Sequence, residues 1–362
     1  MHYTIAAPNT PDFLKSKANA VCTLGNASAT INSAIDILRN GESYCTGSIF
    51  LLAGDYDIND SIKLYDCLEI TGASMQQTKL NLKTAVDCFV SNGQSSYVRL
   101  SNFLINGEDC EGCGINGSFK QSTFERIRMI NMMKSGIRIR PTDDHSDGML
   151  NIIQYNDLNV VSEDSEVFGI DINERNYDTW IINNNIGSKN ANIRVSGGPF
   201  RITGNHCNGT PGSNDQPLHN LVTELGINST IISNNIFENA RADAIILSRV
   251  DNDDEAFRGN NINISNNLIR SENLDSDEEC SMIKFEKGNG EQHFNGITIT
   301  GNLFEQRLKD NKNSYKHSIL LDYVKNVVVS ANIINLDGKK GDNIKQTQNV
   351  SNVTISNNSS NK

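Results

Sequence analysis

Aromatic residues are scarce in this chain: they make up 6% of 362 residues, and Trp180 is the single tryptophan. A broad core filled by large rings is therefore excluded, and a narrow interior of small aliphatic side chains is implied. No apolar run is long enough to cross a membrane as a helix, which excludes membrane insertion of that kind. The start, Met1-His-Tyr-Thr4, lacks the pattern of a secretory leader. Export is then expected to follow removal of a leader, or another route such as release of a virion. Positive charge is also lacking. The formal net charge is −11, which argues against nucleic acid or an anionic membrane as partner. An acidic glycan stays open, because a local arginine cluster counts for more than the total. Eight cysteines are present, but only Cys110 and Cys113 lie close together, whereas structural zinc needs two such pairs. They read mostly as buried packing residues, with one or two disulfides open near the N-terminus. The six histidines are scattered, and none forms a readable triad with serine or cysteine.

What the chain does have is a recurring phrase, apolar–x–x–Asn, usually followed by Ile, Leu or Phe. Its asparagines are Asn156, Asn185, Asn205, Asn235, Asn267, Asn302, Asn332 and Asn358. The clearest copies are Ile232-Ser-Asn-Asn-Ile236, Ile264-Ser-Asn-Asn-Leu268 and Ile299-Thr-Gly-Asn-Leu303. The gaps run from 20 to 35 residues. A fixed phrase with elastic spacing marks a solenoid, each copy one coil, with the length differences in loops. Ile262-x-Ile264, Ile297-x-Ile299 and Val353-x-Ile355 alternate with period two, so the coils are built from strands. A second short strand recurs between phrases: Gly136-Ile-Arg-Ile139, Gly169-Ile-Asp-Ile172, Asn192-Ile-Arg-Val195, Ala244-Ile-Ile-Leu247, Met282-Ile-Lys-Phe285 and Ser318-Ile-Leu-Leu321. Short strands stacked coil on coil give an all-β parallel β-helix, and the repeated asparagine is expected to form a ladder at a bend.

Residues 1–27 read as a lead-in. Ser28–Asn40 reads as an amphipathic helix with Ile31, Ala34, Ile35 and Leu38 on one face, ended by Gly41 and suited to plug the first coil. The helix is followed by an apolar strand ending in Ala53-Gly-Asp-Tyr56, then Ile62-Lys-Leu64 and Leu68-Glu-Ile-Thr-Gly72. In this succession the chain resembles the pectin-lyase-like right-handed parallel β-helix superfamily. That group includes polysaccharide lyases, glycoside hydrolases, C5-epimerases and phage tailspike depolymerases. The resemblance covers residues 28–362, read as one β-helix domain. The last coil, from Val353, is followed by no recognisable cap, which leaves a longer natural chain, a covering subunit or a homotrimer open.

The Gly-Ile-x-Ile strands are the candidate active sheet. Their outward residues form two rows: Arg138, Asp171, Arg194, Val222, Ile246, Lys284, Leu320, Lys345, and Arg140, Asn173, Ser196, Glu224, Ser248, Glu286, Asp322, Thr347. Arg138, Arg140, Asn173, Glu174, Arg175 and Arg194 are candidate substrate-binding residues, since arginine suits carboxylate or sulfate. The alternative is a ladder of charges paired across coils. Glu224, Glu286 and Asp322 are acid/base candidates, at a spacing compatible with the two carboxyl groups of an inverting glycosidase. Phe168-Gly-Ile-Asp-Ile-Asn-Glu174 resembles the Tyr-Gly-x-Asp-Pro-His-Glu signature of alginate C5-epimerases. The resemblance matches Asp171 and Glu174 to the acidic pair, so Asp171 joins the catalytic candidates. Phe168 and Asn173 replace the Tyr and His, and neither can transfer a proton. Polygalacturonase motifs are absent, and Arg138-Ile-Arg-Pro141 is only a partial echo of pectate lyase. The acidic runs Asp143–Asp147, Asp251–Glu255 and Asp275–Glu279 read as loops; calcium is the one cofactor they suggest.

Together these readings predict a protein acting on polysaccharide outside the cell, at a cell surface or on a virion. The chemistry would be hydrolysis or β-elimination, and the rival is a non-catalytic adhesin or fibre.

Overall fold

The computed structural model describes the chain except residues 109, 142–147, 209–215, 250–258, 272–279, 288–292, 307–314, 337–342 and 361–362, and the side chains of 173–175. The three acidic runs thus lie wholly or mainly outside the described residues. The described chain forms two compact units, Met1–Asp171 and Ile172–Lys362. Each is a stretch of parallel coils.

In the first unit one inner column runs Tyr3, Ile49, Ile70, Leu100, Phe124, Ile153, each in register with the next. The helix Ala27–Arg39 buries Ile31, Ala34, Ile35 and Leu38, the face its sequence pattern marks. Asn32 explains how it meets the first coil. Its amide donates to Ser61 O at 3.0 Å and accepts from Lys63 N at 3.0 Å, so a side chain satisfies backbone groups at the sheet edge.

In the second unit three columns define three faces per coil. One is Ile181, Ile202, Ile232, Ile264, Ile299, Val329, Ile355. The next is Ile186, Cys207, Phe237, Ile269, Phe304, Ile334. The third is Ile193, Leu221, Ile245, Ile283, Ile319, Ile344. The few rings the chain has go inside: Phe237 and Phe304 stand fully buried among the aliphatic side chains of the second column.

Between the first two faces runs the expected ladder. Asn184, Asn205, Asn235, Asn267, Asn302 and Asn332 each donate through Nδ2 to the Oδ1 of the next, at 2.9–3.0 Å. Asn267 is typical. It also donates to Ile232 O at 3.0 Å, and its Oδ1 accepts from both the backbone N and the Nδ2 of Asn235. All four valences of a buried carboxamide are used. In one coil the ladder residue is Asn184, not Asn185. Three asparagines stand in succession there, and Ile181, not Ile182, joins the inner column. The residue before each rung bends left-handed, as at Asn234 (φ 56°), Asn266 (φ 56°) and Gly301 (φ 68°). Asparagine and glycine tolerate that bend best, hence the Asn-Asn and Gly-Asn doublets. At Gly301 a Cβ would come within 2.4 Å of Asn266 Oδ1, so that amide would have to shift to admit a side chain.

All eight cysteines are free thiols, including those near the N-terminus where a disulfide was open. Among the described residues no helix is long and apolar enough to cross a membrane.

Candidate active site

The third face carries the candidate residues. Its strands are β1 (Ile62–Leu64), β2 (Phe89–Ser96), β3 (Ile115–Lys120), β4 (Ile137–Ile139), β5 (Phe168–Tyr177), β6 (Ala191–Gly197), β7 (His219–Thr223), β8 (Ile245–Arg249), β9 (Ser281–Lys287), β10 (His317–Leu321) and β11 (Ile344–Gln346). In the second unit the first outward row is as the sequence implies: Arg194, Val222, Ile246, Lys284, Leu320 and Lys345 are successive register partners. Ser248 and Glu286 are partners in the second row.

In the first unit Asp171 is fully buried, held by two guanidinium groups. Arg140 Nη2 donates to Asp171 Oδ2 at 2.9 Å, and Arg138 Nε lies 3.3 Å from the same oxygen. Arg138 also reaches Ser135 Oγ and Glu166 O, each at 3.4 Å. Phe168 is 2% exposed, so its ring belongs to the core and not to the outer face where a reacting residue would stand. The side chains of Asn173, Glu174 and Arg175 lie outside the described residues.

In the second unit Arg194 is only 2% exposed, and its Nη1 meets both carboxylate oxygens of Glu224 at 3.1 and 3.3 Å. Asp322 Oδ1 accepts from Thr347 Oγ1, from Asn349 Nδ2 at 3.3 Å and from Tyr323 N at 3.1 Å. Glu224 and Asp322 are thus tied into local contacts. Glu286 is tied as well, to a hydroxyl and an ammonium. Ser248 Oγ donates to its Oε1 at 2.5 Å, and Lys284 Nζ lies 2.8 Å from its Oε2. Lys284 and Glu286 are two apart on β9 and share its outer side.

The same ammonium lies 3.6 Å from Asp243 Oδ2, on the preceding coil just ahead of β8. Asp243 is 7% exposed, and its Oδ1 accepts from Ser281 N at 2.6 Å. Burial raises its pKa above the usual carboxylate range; the Ser281 hydrogen bond and the Lys284 charge offset this only in part. For Lys284, burial pulls downward, but the Glu286 hydrogen bond and the two carboxylate charges outweigh it and leave the pKa raised. His219 Nδ1 lies 2.7 Å from Asp243 O. A carbonyl only accepts, so this nitrogen carries a proton, and burial lowers the ring's pKa. The turn before Asp243 is fixed from below: the buried Tyr315 hydroxyl reaches Ala240 O at 3.2 Å and Ala242 O at 2.9 Å.

Asp243, Lys284 and His219 were not sequence candidates. Asp243 lies in a connection outside the Gly-Ile-x-Ile pattern, and only the coil stacking brings it beside β9. Lys284 could have been found, since it stands in the first outward row two residues before Glu286. No group of three metal-ligating side chains occurs among the described residues.

Chains of solved structure share this architecture. The catalytic unit of an α-1,3-glucanase from Streptomyces thermodiastaticus superposes with TM-score 0.63 at 15% identity, covering 92% of this chain and 65% of its own. The fold is a right-handed parallel β-helix. A DFA-IIIase from Arthrobacter chlorophenolicus gives TM-score 0.62 at 13% identity, over 97% of this β-helix and 86% of that chain. A mannuronan C-5 epimerase A-module from Azotobacter vinelandii gives 0.61 at 14% identity, over 94% and 95%. No protein-family model and no curated protein matches the sequence of this β-helix.

Proposed function

We propose that this protein hydrolyses a polysaccharide on the outer face of β7–β10, with Asp243 and Glu286 as the reacting carboxyl groups. The observation that carries the reading is one ammonium, Lys284 Nζ, in contact with both acids, of which the more buried, Asp243, has a raised pKa. Two neighbouring carboxyl groups, one of them buried with a raised pKa, are the parts a glycosidase needs. Asp243 gives its proton to the glycosidic oxygen as the bond to the anomeric carbon breaks. Glu286 takes a proton from the water whose oxygen bonds that carbon. Lys284 then faces a newly formed Asp243 carboxylate, and its charge favours that product of proton transfer. His219 and Tyr315 position the Asp243 backbone. Such work fits a protein that meets polysaccharide outside the cell or on a virion.

The rival reading is glycan binding without catalysis. It is favoured by the way Glu224 is held by Arg194, and Asp322 by Thr347 and Asn349.

The test is incubation with a panel of neutral and acidic polysaccharides, read by reducing-end release and by the absorbance of unsaturated uronates. Hydrolysis predicts reducing ends without absorbance. Asp243→Asn and Glu286→Gln should each lower the rate by about 10²–10⁴-fold. Absorbance would instead mean β-elimination, and binding with no product would favour the non-catalytic reading.

A further inference from the structure

The charge pairing on this face bears on which glycans it accepts. A polyuronate or sulfated chain repeats a negative charge on every sugar or two, so its groove must offer cations in excess of its own acids. The reacting face does not. Arg194 is buried against Glu224, and Lys284 is shared by Asp243 and Glu286. Lys287 Nζ lies 5.0 Å over the Tyr323 ring, next to Asp322. Lys345 is the register partner of Leu320, two residues before Thr347 and Asp322, which follow directly on these strands. Arg194 and Lys284 are thus tied to carboxylates of the face itself, which leaves few cations for a repeating anion.

The first unit follows the same rule by itself. Arg138 and Arg140 are spent on Asp171. Asp87 adds another acid there, bound to Asn116, the register partner of Arg138.

Between the charged residues the outward row of the second unit is apolar. Val222 and Ile246 are adjacent partners ahead of Lys284, and Leu320 follows it, all partly exposed. Flat aliphatic contacts with a few convergent polar groups suit the C–H face of an uncharged sugar ring.

We propose that the polysaccharide acted on is neutral, not a polyuronate or a sulfated chain. This rests on the proposed glycan activity of the same face. The test is affinity electrophoresis of the full chain in native gels containing dextran, laminarin, inulin, galactomannan, polygalacturonate, alginate or hyaluronate, at low and raised salt. The expected result is slowed migration in at least one neutral gel, unchanged by salt because the contacts are not ionic, and no slowing in the polyanion gels. Slowing by a polyanion that salt abolishes would overturn neutrality while leaving the glycan reading standing. Unslowed migration in every gel, with no product from any member of the panel, would overturn the glycan reading and this inference with it.

Discussion

The two units use the same kinds of side chain in opposite proportions. In Met1–Asp171 two guanidinium groups close on one buried carboxylate, Asp171. In Ile172–Lys362 one ammonium is divided between two carboxylates, Asp243 and Glu286. The difference separates a structural cluster from a chemical one. Arginine does not give up its proton, so the two guanidinium groups hold Asp171 as fixed charges. Lys284 cannot compensate two acids equally. It lies nearer Glu286, and the more buried Asp243 is left with a raised pKa. Charge stoichiometry, more than residue type, decides which cluster can move a proton.

The largest effect is expected where compensation is most complete. Asp171→Ala leaves two partly buried guanidinium groups without their carboxylate. It should destabilise the first unit by about 3–5 kcal/mol, measured as a fall in the urea midpoint. A change below about 1 kcal/mol would mean that the arginines re-solvate and that Asp171 is no keystone.

An uncharged network gives the next rank. Asn267→Ala removes two donors and two acceptors from the ladder and leaves the Asn235 amide and Asn302 Oδ1 short of partners. The expected cost is about 2–3 kcal/mol, read by the same denaturation, because unsatisfied buried polar groups are the expensive product of such a change. If it matched Asp171→Ala, charge would not be what sets the first unit's cluster apart.

Lys284→Met should cost less, about 1–2 kcal/mol, because the removed cation is partly exposed and its two acids can take up a proton between them. Its larger consequence is chemical. Without the ammonium, the Asp243 carboxylate formed on proton transfer loses its stabilising charge, so the rate should fall by about 10²-fold or more while binding persists. A rate near wild type would assign the proton transfer elsewhere.

How much of this was legible in the sequence depends on what each residue answers to. The ladder and the outward rows repeat from coil to coil, so periodicity exposes them. Arg194, Val222, Ile246, Lys284, Leu320 and Lys345 fall in register as counted. The one slip, Asn185 for Asn184, came where three asparagines left the phrase two equivalent readings. Pairing could not be read in this way. A row of arginines looks like an anion site until Asp171 and Glu224 are seen to occupy them. Asp243 was out of reach altogether, because it belongs to no repeat and gains its partners only through stacking against Ser281 and Lys284.

The smallest effect is also the sharpest test of the contrast. The folded-state pKa of Asp243 lies above its ordinary value of 3.8, chiefly because burial disfavours the charged form. Below that ordinary value, folded and unfolded chains both hold the proton. As pH rises, the unfolded chain releases it first, so stability falls until the folded-state pKa is passed and the loss is complete. His219 acts in the opposite sense: its pKa is lowered by burial, so its contribution is present above 6.5 and is lost as pH falls. Comparing wild type with Asp243→Asn at each pH cancels most of the His219 effect and leaves that of Asp243. The variant should gain on the wild type as pH rises from the ordinary value through the raised one, by about 1.4 kcal/mol for each unit of pKa elevation. The rate on a hydrolysed glycan should decline at the upper end of that range, as pH passes the folded-state pKa and the proton donor empties. A difference that stayed flat with pH would mean that Lys284 compensates Asp243 as fully as the arginines compensate Asp171, and the contrast between the two clusters would disappear.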